Sequence, residues 1–258
     1  MTVVLLPMNT GVPDESTAAA VREWGGDPEA GRTIAAALTE AGYRVVAFDY
    51  EREVFARPRP LSGARLAADL LAAADEAGVD RFAYYGYSWL GLAGLQLAQR
   101  TDRLTALAVG GFPPLGGPYE PMLKVTRAAH EQALHPVPAP ADVTPGDWES
   151  AGSAASPEQT GQFVTLYESL RDVDERAALD RIDVPRLAYA GAADSIPYGP
   201  GWGGTEVVIG PALAAHRAEL ERRGWTVHLE PGADHLRALH ASVVLPVLLP
   251  WLRTHVPA

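Results

Sequence analysis

Cysteine is absent from the 258 residues, and lysine occurs once, at Lys124, against twenty arginines. The first absence removes disulfides, thiolate catalysis and cysteine-ligated metals together. It also fits a cytoplasmic protein, which is the expected location. The second absence excludes most Schiff-base lysine mechanisms, because Lys124 falls in an amphipathic helical stretch. No run of about 18 consecutive apolar residues occurs, so no membrane span is expected. The chain begins directly with Val3-Val4-Leu5-Leu6, without the basic segment and small-residue cleavage site of a signal peptide. Positive charge is scarce as well. A net charge of −11 repels a phosphate backbone, so nucleic acid is not an expected partner. The acidic residues are scattered, which reads as a solvated surface.

What is present is apolar and regularly punctuated. Hydrophobic residues make up 47% of the chain, enough for the core of one domain with room for an inserted subdomain. Thr2 to Leu6, Tyr43 to Phe48, Arg81 to Tyr85 and Leu104 to Val109 are short apolar runs of the kind that form strands buried on both faces. Between them, helical patterns cover Glu29 to Ala41, Ala64 to Ala77 and Trp89 to Arg100, the first two stopped by Gly42 and Gly78. Strands alternating with helices predict a mostly parallel sheet flanked by helices, an α/β architecture. The alternation breaks after Phe112. Two helical patterns, Glu120 to Leu134 and Glu158 to Leu170, sit among proline- and glycine-rich stretches. Alternation resumes with a strand at Arg186 to Ala190, a helix at Pro211 to Arg223 and a strand at Thr226 to Glu230. A last helical stretch, Leu239 to His255, is interrupted or kinked by Pro246 and Pro250. Residues 1–112 and 184–258 therefore read as the core, and 113–183 as a helical cap inserted into it.

The densest chemical signal is Phe82-Ala-Tyr-Tyr-Gly-Tyr-Ser-Trp-Leu-Gly91. A buried strand ends, a Gly-x-Ser turn follows and a helix begins at once, which lifts the Ser88 hydroxyl to the C-terminal edge of the sheet. The N–H of Trp89, at the helix N-terminus, faces the place where an oxyanion would develop. A serine nucleophile needs a base, and the base needs an orienting carboxylate. His235 follows a strand in Glu230-Pro-Gly-Ala-Asp-His235. Asp194 follows another in Ala188-Tyr-Ala-Gly-Ala-Ala-Asp194. Asp234 is read as a loop-shaping residue and Asp49 as a turn former.

The Gly-x-Ser turn resembles the nucleophile elbow of the α/β-hydrolases, usually Gly-x-Ser-x-Gly. Leu90 replaces the second glycine and Gly91 follows it, which implies a wider turn or a shifted helix. The order Ser88, Asp194, His235 is the order of that family, and the resemblance extends over nearly the whole chain. It implies a serine hydrolase fold with a helical cap, acting on a carboxylic ester or related acyl bond of a small-molecule substrate. It implies no cofactor and no metal. Where the family carries His-Gly and then an oxyanion donor, this chain reads Pro7-Met8-Asn9-Thr10. Alignment by strand end puts Asn9 at the donor position, with Met8 as the other candidate. Trp24, Tyr87, Phe112 and Trp148 are candidate substrate contacts. Phe163 and Tyr167, four apart on a helix, are read as packing within the cap. Pro197 to Gly204 reads either as a mobile loop bordering the pocket or as a connector. The same triad also serves acyl transfer and lyase or cyclase reactions, and the altered elbow leaves a non-catalytic binding protein of this fold as a third reading.

Overall fold

The structure is a computed structural model and describes residues 1–136, 143–147, 150 and 155–258. Its strands are β1 (Val3–Leu6), β2 (Arg44–Ala47), β3 (Phe82–Tyr87), β4 (Leu104–Gly110), β5 (Arg186–Gly191), β6 (Ser195–Tyr198), β7 (Thr205–Val208) and β8 (Trp225–Glu230). Its helices are α1 (Glu15–Glu23), α2 (Ala30–Glu40), α3 (Tyr50–Ala56), α4 (Gly63–Glu76), α5 (Trp89–Ala98), α6 (Tyr119–Leu134), α7 (Pro157–Ser169), α8 (Glu175–Leu179), α9 (Gly210–Arg222) and α10 (Ala241–His255).

Six strands form one sheet in the order β2-β1-β3-β4-β5-β8, and every pairing in it is parallel. The central strand β3 is buried along its whole length, as its unbroken apolar run requires, whereas β2 at the edge is half-exposed. Handedness decides where the helices lie. The chain steps one way from β1 to β2 and the opposite way from β2 to β3. Right-handed crossovers then place α2 on one face and α4 on the other. Later crossovers run in the second direction, so α5 and α9 share the face of α4, while α10 packs back against α2.

This reversal also fixes where a ligand can bind. In an open parallel sheet, neighbouring strands whose connections leave in opposite directions leave a crevice outside their carboxyl ends. Here that crevice lies between β1 and β3. The segments that emerge there are Pro7-Met8-Asn9 and Tyr87-Ser88-Trp89.

Three features differ from the sequence reading. First, α1 and α3 occupy stretches with no visible pattern. Each begins at an aspartate, Asp14 accepting from Thr17 N (2.9 Å) and Asp49 from Arg52 N (3.0 Å), so Asp49 is a helix cap. Second, Pro197 to Gly204 is neither a free loop nor a simple connector. Strands β6 and β7 pair antiparallel around a 3₁₀ turn at Pro200–Trp202, and the hairpin leans on α6, where Gln132 Nε2 donates to the Gly201 carbonyl at 2.7 Å. Third, α10 runs unbroken through Pro246 and Pro250. Both prolines are on the exposed side, four residues apart, so the backbone pairing they forfeit lies toward water.

Between β4 and β5 the described chain forms α6, α7 and α8, the first two packed against each other. No helix among the described residues is long and apolar enough to cross a membrane.

Candidate active site

Ser88 connects β3 to α5 with φ 58° and ψ −128°. Among the described residues it is the only non-glycine with positive φ. An L-residue adopts that conformation at a cost of about 1–3 kcal/mol, so the surroundings must hold it there. They do so by close approach on both sides. Ser88 N donates to Gly110 O on β4 at 2.8 Å. A Cβ on Gly86 would meet the Leu90 carbonyl oxygen at 2.4 Å, and a Cβ on Gly91 would meet the Gly110 carbonyl oxygen at 2.7 Å. The positions that must be bare are therefore 86 before the serine and 91, not 90, after it. Leu90 borders the cavity formed with Met8 and Asn9, while its carbonyl accepts from Tyr84 Oη at 2.6 Å.

The three residues expected to act together are brought together. Ser88 Oγ lies 3.0 Å from His235 Nε2. His235 Nδ1 lies 2.9 Å from Asp194 Oδ2 and 3.1 Å from Oδ1. Asp194 is fully buried, and the imidazole is 15% exposed, so His235 reaches both the buried carboxylate and the cavity. The loops carrying Asp194 and His235 are sewn to each other: Ala192 N donates to Glu230 O (2.8 Å) and Ala193 N to Ala233 O (2.9 Å). Asp234 turns away from the imidazole and accepts from Arg237 N at 2.8 Å, the loop-shaping role read from the sequence.

Two buried tyrosines hold the His235 segment from below. Tyr87 Oη donates to the His235 carbonyl at 2.8 Å, and Tyr189 Oη donates to the Ala238 carbonyl at 2.7 Å. Burial, reinforced by the charge of Asp194, pushes the Tyr87 phenol well above its ordinary value. It remains a hydrogen-bond donor across the accessible pH range.

Two cavities open on Ser88. One, of about 280 Å³, includes Phe112, Met122, Phe163, Tyr167, Tyr198 and Ile209 in its wall. The other, of about 730 Å³, includes Asn9, Asp49, Glu51, Arg52 and Leu239. Phe112, Tyr87, Trp89 and Asn9 are thus all at the site. Trp24 is not: it closes the C-terminal end of α1 and borders neither cavity. Trp148 lies outside the described residues. Phe163 and Tyr167 do more than pack among themselves, since both face the smaller cavity and Phe163 meets the Trp89 ring edge-on at 5.5 Å. The β6–β7 hairpin contributes Ile196, Tyr198 and Val207 to the same wall. Alternating apolar residues on either side of a glycine-rich turn were the signal for it. Burial raises the Tyr198 phenol to about 12, so this phenol is uncharged at neutral pH.

No family model matches the chain, and no curated protein matches its sequence. Solved structures match it over nearly its full length. A carboxylesterase of Nitrososphaera gargenis superposes with a TM-score of 0.61 at 12% identity, covering 98% of this chain and 90% of that one. A bromoperoxidase of Bacillus anthracis gives 0.58 at 19% identity, with 98% and 92% covered. An enol-lactonase of Burkholderia xenovorans LB400 gives 0.54 at 19%, with 97% and 91% covered. The chain has the α/β-hydrolase fold.

Proposed function

We propose that this protein is a serine hydrolase that cleaves a carboxylic ester or related acyl bond of a small molecule. The observation that supports it most is the continuous line of hydrogen-bonding atoms from Ser88 Oγ through both nitrogens of His235 to a fully buried carboxylate. In this reading Ser88 attacks the carbonyl carbon as its proton passes to His235 Nε2, and Asp194 holds the imidazole in the tautomer that accepts it. The oxyanion is met by the N–H groups of Trp89 and Asn9, one from each side of the β1–β3 crevice. His235 then returns the proton to the leaving group. Water, deprotonated by the same nitrogen, releases the acid from the acyl-enzyme and regenerates Ser88. Residues 113–183 act as a cap, with α6 and α7 supplying Met122, Thr126, Phe163 and Tyr167 over the nucleophile.

The test is labelling with a fluorophosphonate probe, wild type beside Ser88→Ala, followed by turnover on simple p-nitrophenyl and thioester substrates. Labelling of the wild type alone, with hydrolysis, is expected. A wild type that does not label refutes the activated serine. Labelling without hydrolysis of any ester moves the assignment to acyl transfer.

A further inference from the structure

Resting on that reading, we propose that the Trp89 indole is a partition that divides the site into an acyl chamber and a leaving-group chamber, and that it limits the size of the acyl group. The two cavities at Ser88 share three residues: Ser88, His235 and Trp89. The first two are the reacting pair, so the indole is the wall between the chambers. It is braced from three directions. Tyr50 lies against it with ring centroids 5.5 Å apart and planes 30° apart. Phe163 of α7 meets it edge-on. Its Nε1–H donates to Glu51 Oε2 at 3.2 Å. A ring so held divides space rather than adapting to a ligand.

The chambers differ in chemistry. Apart from His235, the wall of about 280 Å³ carries no ionisable group except the tyrosines Tyr167 and Tyr198. The chamber of about 730 Å³ carries Asn9, Asp49, Glu51 and Arg52. During turnover the acyl group stays on Ser88 while the leaving group departs and water takes its place. The group that stays belongs in the apolar chamber, and the group exchanged for water belongs in the polar one. At about 30 Å³ per small group, the apolar chamber takes roughly eight to ten non-hydrogen atoms, which corresponds to a medium straight-chain or single-ring acyl group.

The experiment uses p-nitrophenyl esters from acetyl to dodecanoyl on the wild type, Trp89→Leu and Trp89→Ala; the oxyanion N–H is backbone and survives both changes. For the wild type, kcat/KM is expected to climb by up to about fourfold per added methylene and then to collapse beyond roughly ten carbons. In Trp89→Ala the cutoff moves to longer chains, and the dodecanoyl-to-butanoyl ratio of kcat/KM rises at least tenfold, with Trp89→Leu between. An unchanged ratio overturns the partition. A shift seen only when alcohol size is varied at constant acetyl overturns the chamber assignment. The same comparison by calorimetry, titrating C4 to C12 carboxylates into Ser88→Ala with and without Trp89→Ala, reads the chamber length without turnover. A cutoff that moves there while the wild type fails to label with fluorophosphonate keeps the partition and removes the hydrolase. A cutoff that does not move removes the partition.

Discussion

Tyr87→Phe isolates the contact that holds the base. The substitution keeps the ring and deletes one hydroxyl, whose partner is the His235 carbonyl at 2.8 Å. Tyr87 is 3% exposed, so water does not readily replace the lost donor. Leaving a buried acceptor unpaired costs about 1–3 kcal/mol. For a domain of this size, each kcal/mol lowers the melting temperature by about 2–4 °C. The second consequence is local. Without the phenol, the His235 backbone is free to move toward the cavity, and a displacement of about 1 Å at a reacting group is enough to lose on the order of 10² in rate. The fall belongs in kcat, because the ring that borders the cavity is unchanged. Tyr189→Phe is the control: it frees the Ala238 carbonyl, three residues further along, behind the turn that Asp234 already caps. A similar thermal loss with a smaller loss of kcat is expected. Differential scanning fluorimetry and steady-state kinetics read both. Tyr87→Phe with an unchanged melting temperature and unchanged kcat, or with a loss confined to KM, would refute the clamp.

Three further outcomes are expected. Asp194→Asn preserves shape but replaces one carboxylate oxygen beside His235 Nδ1 with an amide donor that favours the wrong tautomer, so kcat falls by about 10⁴ while the melting temperature shifts little; a loss under tenfold contradicts a triad. Gly91→Ala drives a methyl toward the Gly110 carbonyl oxygen at 2.7 Å; it costs about 1–3 kcal/mol and slows fluorophosphonate labelling, whereas Leu90→Gly, which restores the commoner motif, brings no gain in kcat/KM. The Asp14 carboxyl is lowered to about 2 from 3.8 by hydrogen bonds from Ser16 and Thr17. A depressed acid stabilises above its unfolded value and ceases to do so as pH falls through the folded one. Amide protection in the first turn of α1 should therefore be complete above about pH 4 and fray toward pH 2, with Asp14→Ala frayed throughout.

The core of this fold was legible because a buried parallel strand has a simple signature. Val3–Leu6, Phe82–Tyr87, Leu104–Gly110 and Arg186–Gly191 are apolar on both faces, and several helices between them stop at glycine. The candidate residues Ser88 and Asp194 were legible for the related reason that each follows such a run, whereas His235 follows the half-exposed edge strand β8. What was not legible is structure that buries little. Helix α1 buries Ala18 alone, so it has no apolar stripe to show. Helix α3 has seven residues and buries Tyr50 and Val54, one turn's worth of pattern. The β6–β7 hairpin was masked by Pro197, Pro200 and the glycines of its turn, which signal a loop more strongly than Ile196 and Val207 signal a strand. Trp24 was overvalued for its size: an aromatic residue in an unpatterned stretch carries no information about which way it faces.

The Leu90 substitution shows what the elbow motif encodes physically. A turn that places Ser88 at positive φ brings two backbone segments past each other, and side chains must be missing where those segments meet. One meeting is Gly86 against the Leu90 carbonyl; the other is Gly91 against the Gly110 carbonyl. Leucine at 90 violates neither, because at that position it is the backbone carbonyl, common to every residue, that makes the contact. Read as a spacing, the motif is broken; read as two points of closest approach, it is intact. The same reasoning bears on the missing His-Gly. Position 9 needs to deliver a backbone N–H to the crevice, and any residue has one if the loop is held. The Asn9 loop is held: its Oδ1 accepts from Gly11 N at 2.7 Å, and its carbonyl lies where a Cβ on Gly31 of α2 would come within 2.1 Å. Gly31 is thus required by Asn9 in the way Gly91 is required by Gly110, and a side chain at 31 would push Asn9, the proposed second oxyanion donor, out of place.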